Sequence, residues 1–273
     1  MPCKHLLVHV DSTDGAGPRL ELAAALARRH GARLVGLFAE ADTLGPGIVG
    51  KRSPQQLEAA AARAEAAFRR AVSEAGVEAD WWLVGAAGHA DLVGLTAVCC
   101  RYVDLAVFGQ HEEGGRVPPD LVEQVLPDCG RPLLVVPAGW RSRELGRRVV
   151  IGWNASPEAA RALNDALPLL AGAEFVGVLA FQGAAVPGGA ALRMPPADIG
   201  AHLALHGVRA RVERAVQASE GIGPVEALWN YAFESQADLT VMGAGRHGFP
   251  LRHGATEARE ILRALPTPLL LAR

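Results

Sequence analysis

The segment with the most chemical content is MGAGRHGFPLRHGAT, Met242 to Thr256, which the apolar run DLTVM enters directly. It combines glycines with Arg246, His247, Arg252, His253 and a terminal Thr256. Glycines let a backbone come close to a ligand, because no Cβ stands between the amide N–H groups and a phosphate oxygen. A helix starting after such a loop adds partial positive charge at its N-terminus, and a Thr hydroxyl there can donate to a phosphate. The alternatives for this stretch are a phosphate cradle, the remains of one, or a solvated turn ending in a helix start at Thr256. Other constellations are weaker. His202 and His206 are four apart, a metal-like spacing with no third ligand evident, so surface histidines are expected. Cys3, Cys99, Cys100 and Cys129 form no CxxC pair and read as reduced residues in a core. No Ser/His/Asp nucleophile arrangement and no acid–base pair stands out, so no catalytic residue and no metal ligand is assigned.

The elements that must position the loop alternate between strand and helix. KHLLVHV (4–10), RLVGLFA (33–39), EADWWLVG (78–85), VDLAVFG (103–109) and RPLLVVP (131–137) are short apolar runs of strand length. Between them lie helical patterns at 18–30, 53–76, 89–102 and 119–129. Ser53 is a plausible N-cap, Pro54 stands in the first turn, and Gly31 and Gly76 stop their helices. The same order then repeats. RRVVIGW matches KHLLVHV, GAEFVGVLAF echoes GARLVGLFAE, GVRARVERAV echoes GVEADWWLVG, QADLTVMG echoes YVDLAVFG, and TPLLLAR echoes RPLLVVP. Gly31 pairs with Gly172, Gly76 with Gly207, and Asp104 with Asp238. A repeat of about 135–140 residues has the size of a domain, not of a solenoid unit. WRSRELGRR (140–148) separates the halves, which gives domains at 1–140 and 147–273.

Strands alternating with helices predict an α/β fold: two tandem Rossmann-like domains, each a five-stranded parallel sheet with helices on both faces. Right-handed crossovers make each sheet doubly wound, with ligands outside the carboxyl ends of the strands. In the first half that points to Asp11, Ala39–Glu40 and Gly109; in the second, to Asn154, Ala180–Phe181 and Gly243.

With VHVDS and IGWNAS after the first strands, DLAVFG and DLTVMG at the fourth, and GRPLLVVP and PTPLLLAR at the fifth, the sequence resembles a tandem universal stress protein of the UspA-like family along both halves. The resemblance implies an adenine nucleotide alpha hydrolase-like fold, and many members bind ATP. It also implies pairing of the two halves through their last strands. The ATP-binding branch resembles G-x-x-G, nine residues, then G-[S/T], with an Asp closing the first strand. In the second half the glycines are displaced: counting from Gly243, the second motif glycine falls on Arg246 and the third on Thr256, or on Ala255 counting back from the final strand. The resulting nucleotide set is Asn154, Ala180, Met242, Gly243, Gly245, Arg246, His247, Gly254, Ala255 and Thr256. Asn154 replaces the Asp, and its alternative role is a turn leading to a Ser156 N-cap. The first half keeps Asp11, yet its loop QHEEGGRVPP carries Glu112 and Glu113, which repel phosphate, and two prolines, which lack N–H groups. That half is not expected to bind ATP.

The bulk numbers agree with these expectations. The chain has 273 residues, half of them hydrophobic and only 21% charged, so a sizeable core is available. A net charge of −2 gives no reason to expect nucleic acid as a partner. No apolar run is long enough for a membrane span, and MPCKHLLVHV enters a strand at once, so no leader and a cytoplasmic location are expected. The expected function is that of a stress-response binding or signalling protein holding ATP or another adenine nucleotide, with or without Mg, in its second half and at most hydrolysing it slowly. The alternative is a ligand-independent protein-interaction module, with a homodimer or an unknown protein as partner.

Overall fold

The computed structural model describes residues 3–41, 52–86, 89–181, 198–215, 223–245 and 256–273. The first half runs β1 (His5–Val10), α1 (Ala16–His30), β2 (Arg33–Ala41), α2 (Pro54–Ala75), β3 (Ala79–Ala86), α3 (His89–Cys100), β4 (Leu105–Gly109), α4 (Leu121–Cys129) and β5 (Leu133–Val136). The second runs β6 (Arg148–Trp153), α5 (Pro157–Leu170), β7 (Phe175–Ala180), α6 (Ile199–Leu205), β8 (Arg211–Arg214), α7 (Pro224–Glu234), β9 (Leu239–Gly243), α8 (Thr256–Arg263) and β10 (Leu269–Ala272). Local chemistry sets the ends of α2. The Ser53 hydroxyl accepts from Gln56 N while the Gln56 side chain accepts from Ser53 N, a complete capping box. Gly76 closes the helix in the left-handed conformation, φ 66°, which glycine adopts without a Cβ penalty. Helix α1 begins two residues before the expected Pro18, with Gly15 as its N-cap.

The strand order is β3-β2-β1-β4-β5-β10-β9-β6-β7-β8. Within each half every pairing is parallel, and the central strands read as unbroken apolar runs because both faces are covered. The two expected five-stranded sheets are fused into one of ten. The junction is the antiparallel pair β5–β10, with Leu269, Leu270 and Leu271 opposite Val135, Leu134 and Leu133. Alternation along these strands feeds two cores. One, on the face covered by α1, α2, α5 and α6, contains Leu134 and Leu270; the other, under α3, α4, α7 and α8, contains Leu133 and Leu269. Each core therefore runs across the junction. Gln110 reinforces it by donating to the carbonyls of Leu262 (2.9 Å) and Arg263 (2.7 Å) at the end of α8, while its own oxygen accepts from Ala138 N.

The repeated aspartate has the same task in both halves. Asp104 accepts from the N–H groups of Lys4 (2.7 Å) and His5 (3.0 Å). Asp238 accepts from those of Gly146, Arg147 and Arg148. Each clamps the entry of the first strand to the entry of the fourth, which fixes the register of the central β1–β4 and β6–β9 pairs. The predicted strand GVRARVERAV is only four residues long, at the outer edge, where pairing on one side alone holds it. Trp81 and Trp82 lie on opposite faces, as alternation requires: Trp81 packs on Phe68, and Trp82 joins the core under α3.

Candidate functional site

The strand order puts the switch point of each half between β1 and β4, or β6 and β9, and the crevice expected there lies at their carboxyl ends. In the first half it is filled by a buried ion pair. Asp11 follows β1, and one of its oxygens accepts from the N–H and hydroxyl of Thr13, closing a turn. The other meets Arg19 Nη2 at 2.8 Å, and both side chains are almost fully buried. Arg19 Nε donates to the carbonyl of His9. Burial alone would raise the Asp11 pKa, but the Arg19 guanidinium, helped by His9 and Thr13, holds it down at about 2. His9 is pushed below the ordinary imidazole value by burial. It stacks on Phe108, and its Nε2 donates to the Ala39 carbonyl. The guanidinium also lies across Gly109, where a methyl group would stand 1.7 Å from Nη1. At the end of β2, Glu40 accepts from Ser12 N at 2.6 Å and pairs with Arg52. The acidic loop closes the rest: Glu112 Oε1 accepts from Gly15 N at 3.1 Å, at the start of α1.

The second half brings Asn154, Ala180, Met242, Gly243 and Gly245 to one end of the sheet. Trp153 pairs with Ala180, and Gly152 with Met242, so Asn154 stands between the ends of β7 and β9. Asn154 Oδ1 accepts from Ser156 N at 3.1 Å, and Ser156 Oγ accepts from Ala159 N at 3.1 Å. The turn that sequence allowed as the alternative role of Asn154 is thus formed. It holds Ala155 at φ 57°, a left-handed conformation that a non-glycine residue adopts at some cost. Gly243 is required by close approach, since a methyl there would stand 2.4 Å from Ala159 N and from the Glu158 carbonyl carbon. At Gly245 a methyl would meet Glu158 Oε1 at 2.2 Å, so the Glu158 carboxylate lies directly over this glycine. Thr256 is the first residue of α8. Arg246, His247, Gly254 and Ala255 lie outside the described residues.

Aligning VHVDS with IGWNAS puts Gly15 opposite Glu158 and Arg19 opposite Ala162, which is buried. Each half therefore holds a carboxylate where the first helix meets the loop after the fourth strand. In the first half the loop supplies it and the helix supplies the glycine; in the second the roles are exchanged. Sequence reasoning passed over Arg19 and Glu158. Arg19 had a signal: it shares a helical stripe with Leu22, Ala23 and Leu26, all buried, so a charge on that face required a partner. Glu158 reads in sequence as an ordinary acidic residue in a first helical turn. His202 and His206 sit exposed at α6 with their rings in contact, and among the described residues no group of side chains is arranged to hold a metal.

No family model matches the chain, and no curated protein matches it. Solved structures do. A universal stress protein from Archaeoglobus fulgidus matches over 98% of this chain and 96% of its own, at 16% identity and a TM-score of 0.69. A protein from Pseudomonas aeruginosa described as a candidate universal stress protein matches over 99% of this chain and 93% of its own, at 14% identity and a TM-score of 0.59. A universal stress protein from Archaeoglobus fulgidus in complex with dAMP aligns with 50% of this chain at 19% identity and a TM-score of 0.36. The chain has the fold of tandem universal stress proteins, with both halves aligned end to end. Among the described residues, no helix is long and apolar enough to cross a membrane.

Proposed function

We propose that the protein is a cytoplasmic stress-response binding protein of the universal stress type, with domains at 1–140 and 147–273. The second domain takes an adenine nucleotide, ATP or a relative, with or without Mg, between Asn154, Ala180 and Met242–Gly245. Arg246, His247, Gly254, Ala255 and Thr256 complete the proposed set from the sequence. The observation that carries this reading is the difference between the two crevices. Asp11 and Arg19 neutralise each other and bury the guanidinium over Gly109, whereas the second half has Asn154 and Ala162 at those positions. Asn154 places a neutral amide at the strand end, its Oδ1 accepting from Ser156 N, where the first half has the Asp11 carboxylate. The strained Ala155 beside it fits a site held in shape for a ligand rather than for stability.

The test is titration of the purified chain with ATP and AMP by calorimetry, with the amide signals of Gly243, Gly245 and Asn154 followed by NMR. The expected result is saturable binding that moves those three signals. No heat and no shift at millimolar nucleotide, or shifts confined to the Asp11 and Gly109 region, refutes it. A second reading, a ligand-independent protein-interaction module, is favoured by the carboxylate in each crevice. A protein partner released by added ATP counts against that second reading.

A further inference from the structure

The Glu158 carboxylate lies against Gly245, in the segment that the proposed function gives to a phosphate. Its Oε1, Cδ and Cγ all lie within 2.7 Å of a methyl group placed on Gly245, so the carboxylate rests on the Cα of that glycine. Its backbone is packed against Gly243. The backbone that carries Glu158 is held in place, because the Ser156 hydroxyl caps the same helix turn and Asn154 orients Ser156. A negative group belongs there on electrostatic grounds: it is the N-terminus of the 14-residue helix α5. The first half gives an independent second instance. There Glu112 arrives from the opposite side, accepts from Gly15 N at 3.1 Å, and lies 2.5 Å from where a methyl on Gly15 would stand. Two halves with different sequences thus deliver a carboxylate to the same junction by different routes.

We propose that Glu158 is the specificity-determining residue of the second crevice, acting as an internal anion that a ligand's phosphate must displace. This rests on the reading of that crevice as a nucleotide site. The consequence is discrimination by phosphate charge. A nucleoside, or a nucleotide whose single phosphate stays clear of Gly245, binds with Glu158 in place. A di- or triphosphate reaching the glycine segment must first rotate the side chain away, and then holds its own negative charge close to a carboxylate in a partly buried site. The wild-type chain therefore ranks adenosine and AMP above ATP. Removing the Glu158 charge reverses that order.

The experiment compares the wild-type chain with Glu158→Gln, which keeps the shape of the side chain, and Glu158→Ala, which removes it. Each is titrated with adenosine, AMP, ATP and inorganic tripolyphosphate by calorimetry at one ionic strength, with circular dichroism as the check on folding. Both variants are expected to bind ATP and tripolyphosphate at least tenfold more tightly than the wild type, with adenosine changed by less than twofold. If ATP binds the wild type and both variants equally, the role given to Glu158 is wrong while the nucleotide reading stands. If tripolyphosphate binds only the variants and no adenosine compound binds any of the three, Glu158 does guard an anion site and the nucleotide reading falls. If nothing binds any of them, both fall. Should Glu158→Ala fail to fold, Glu158→Gln alone decides.

Discussion

Replacing Arg19 with methionine removes the cation that the first crevice is built around. Arg19 Nη2 lies 2.8 Å from Asp11 Oδ2, which at an effective dielectric of 20 corresponds to a Coulomb attraction of about 6 kcal/mol. Desolvation offsets part of that in the wild type. In Arg19→Met the Asp11 carboxylate stays buried without its partner, and the His9 carbonyl loses the Arg19 Nε donor. Breaking a buried pair from one side costs about 3–5 kcal/mol. For a chain of this length each kcal/mol is roughly 2 °C in Tm. The pH dependence carries a sign that tests the cause. In the wild type the Asp11 pKa is about 2 against an ordinary 3.8, so roughly 2 kcal/mol of stability is present above pH 4 and lost as pH falls through 2. Without Arg19 the main opposing charge is gone and burial works against only His9 and the Thr13 hydrogen bonds, so the Asp11 pKa rises and the variant gains stability relative to the wild type as pH falls from neutral. His9, whose Nδ1 is 3.6 Å from Asp11, adds to that gain by taking a proton. Urea unfolding at pH 7 and pH 5 reads both effects, with Glu40 and Arg52 unchanged nearby. The deficit should be largest at pH 7, and Asp11→Asn with Arg19→Met should recover about half of it. A single variant within 1 kcal/mol of the wild type at pH 7, or a deficit that grows at pH 5, refutes the assignment.

Other substitutions probe the scaffold around the second crevice. Gly243→Ala pushes a methyl against backbone, not a side chain, and should lower stability by about 2–4 kcal/mol in urea unfolding, whereas Gly17→Ala, which meets nothing, should be neutral or stabilising. Asp238→Ala strips the shared acceptor from the Gly146, Arg147 and Arg148 amides; hydrogen exchange at these three should rise at least tenfold, with about 2–4 kcal/mol lost overall. Ala155→Gly relieves a left-handed alanine and should raise stability by roughly 0.5–1 kcal/mol by thermal melting, and loss of stability would show that Ala155 is not strained.

Most of the fold was legible because its signals are local. Ser53, Pro54 and Gly76 mark α2 through chemistry confined to a few neighbouring residues, and they sit where expected. The strands declare themselves through apolar runs that both faces require. The start of α1 was misplaced because Pro18 is tolerated anywhere in a first turn and no side-chain cap marks Gly15. The parallel order within each half follows from alternation, whereas the β5–β10 pair, expected only from the family resemblance, rests on a contact between segments more than a hundred residues apart, which periodicity does not encode. The same division holds for the site. The strand-end residues Asn154, Ala180 and Gly243 are local consequences of the strands. Arg19 over Gly109 and Glu158 over Gly245 depend on how a helix lies against a loop far along the chain.

The antiparallel β5–β10 seam has a consequence for divergence. Two identical chains joined at such a seam would carry two identical crevices, and their union would weaken on dilution. Covalent linkage makes the seam independent of protein concentration. It also frees each half to change alone: Arg19 settles over Gly109 on one side, while on the other a buried Ala162 holds the matching helix position. The seam thus lets one half fix its strand ends with a buried ion pair while the other changes independently.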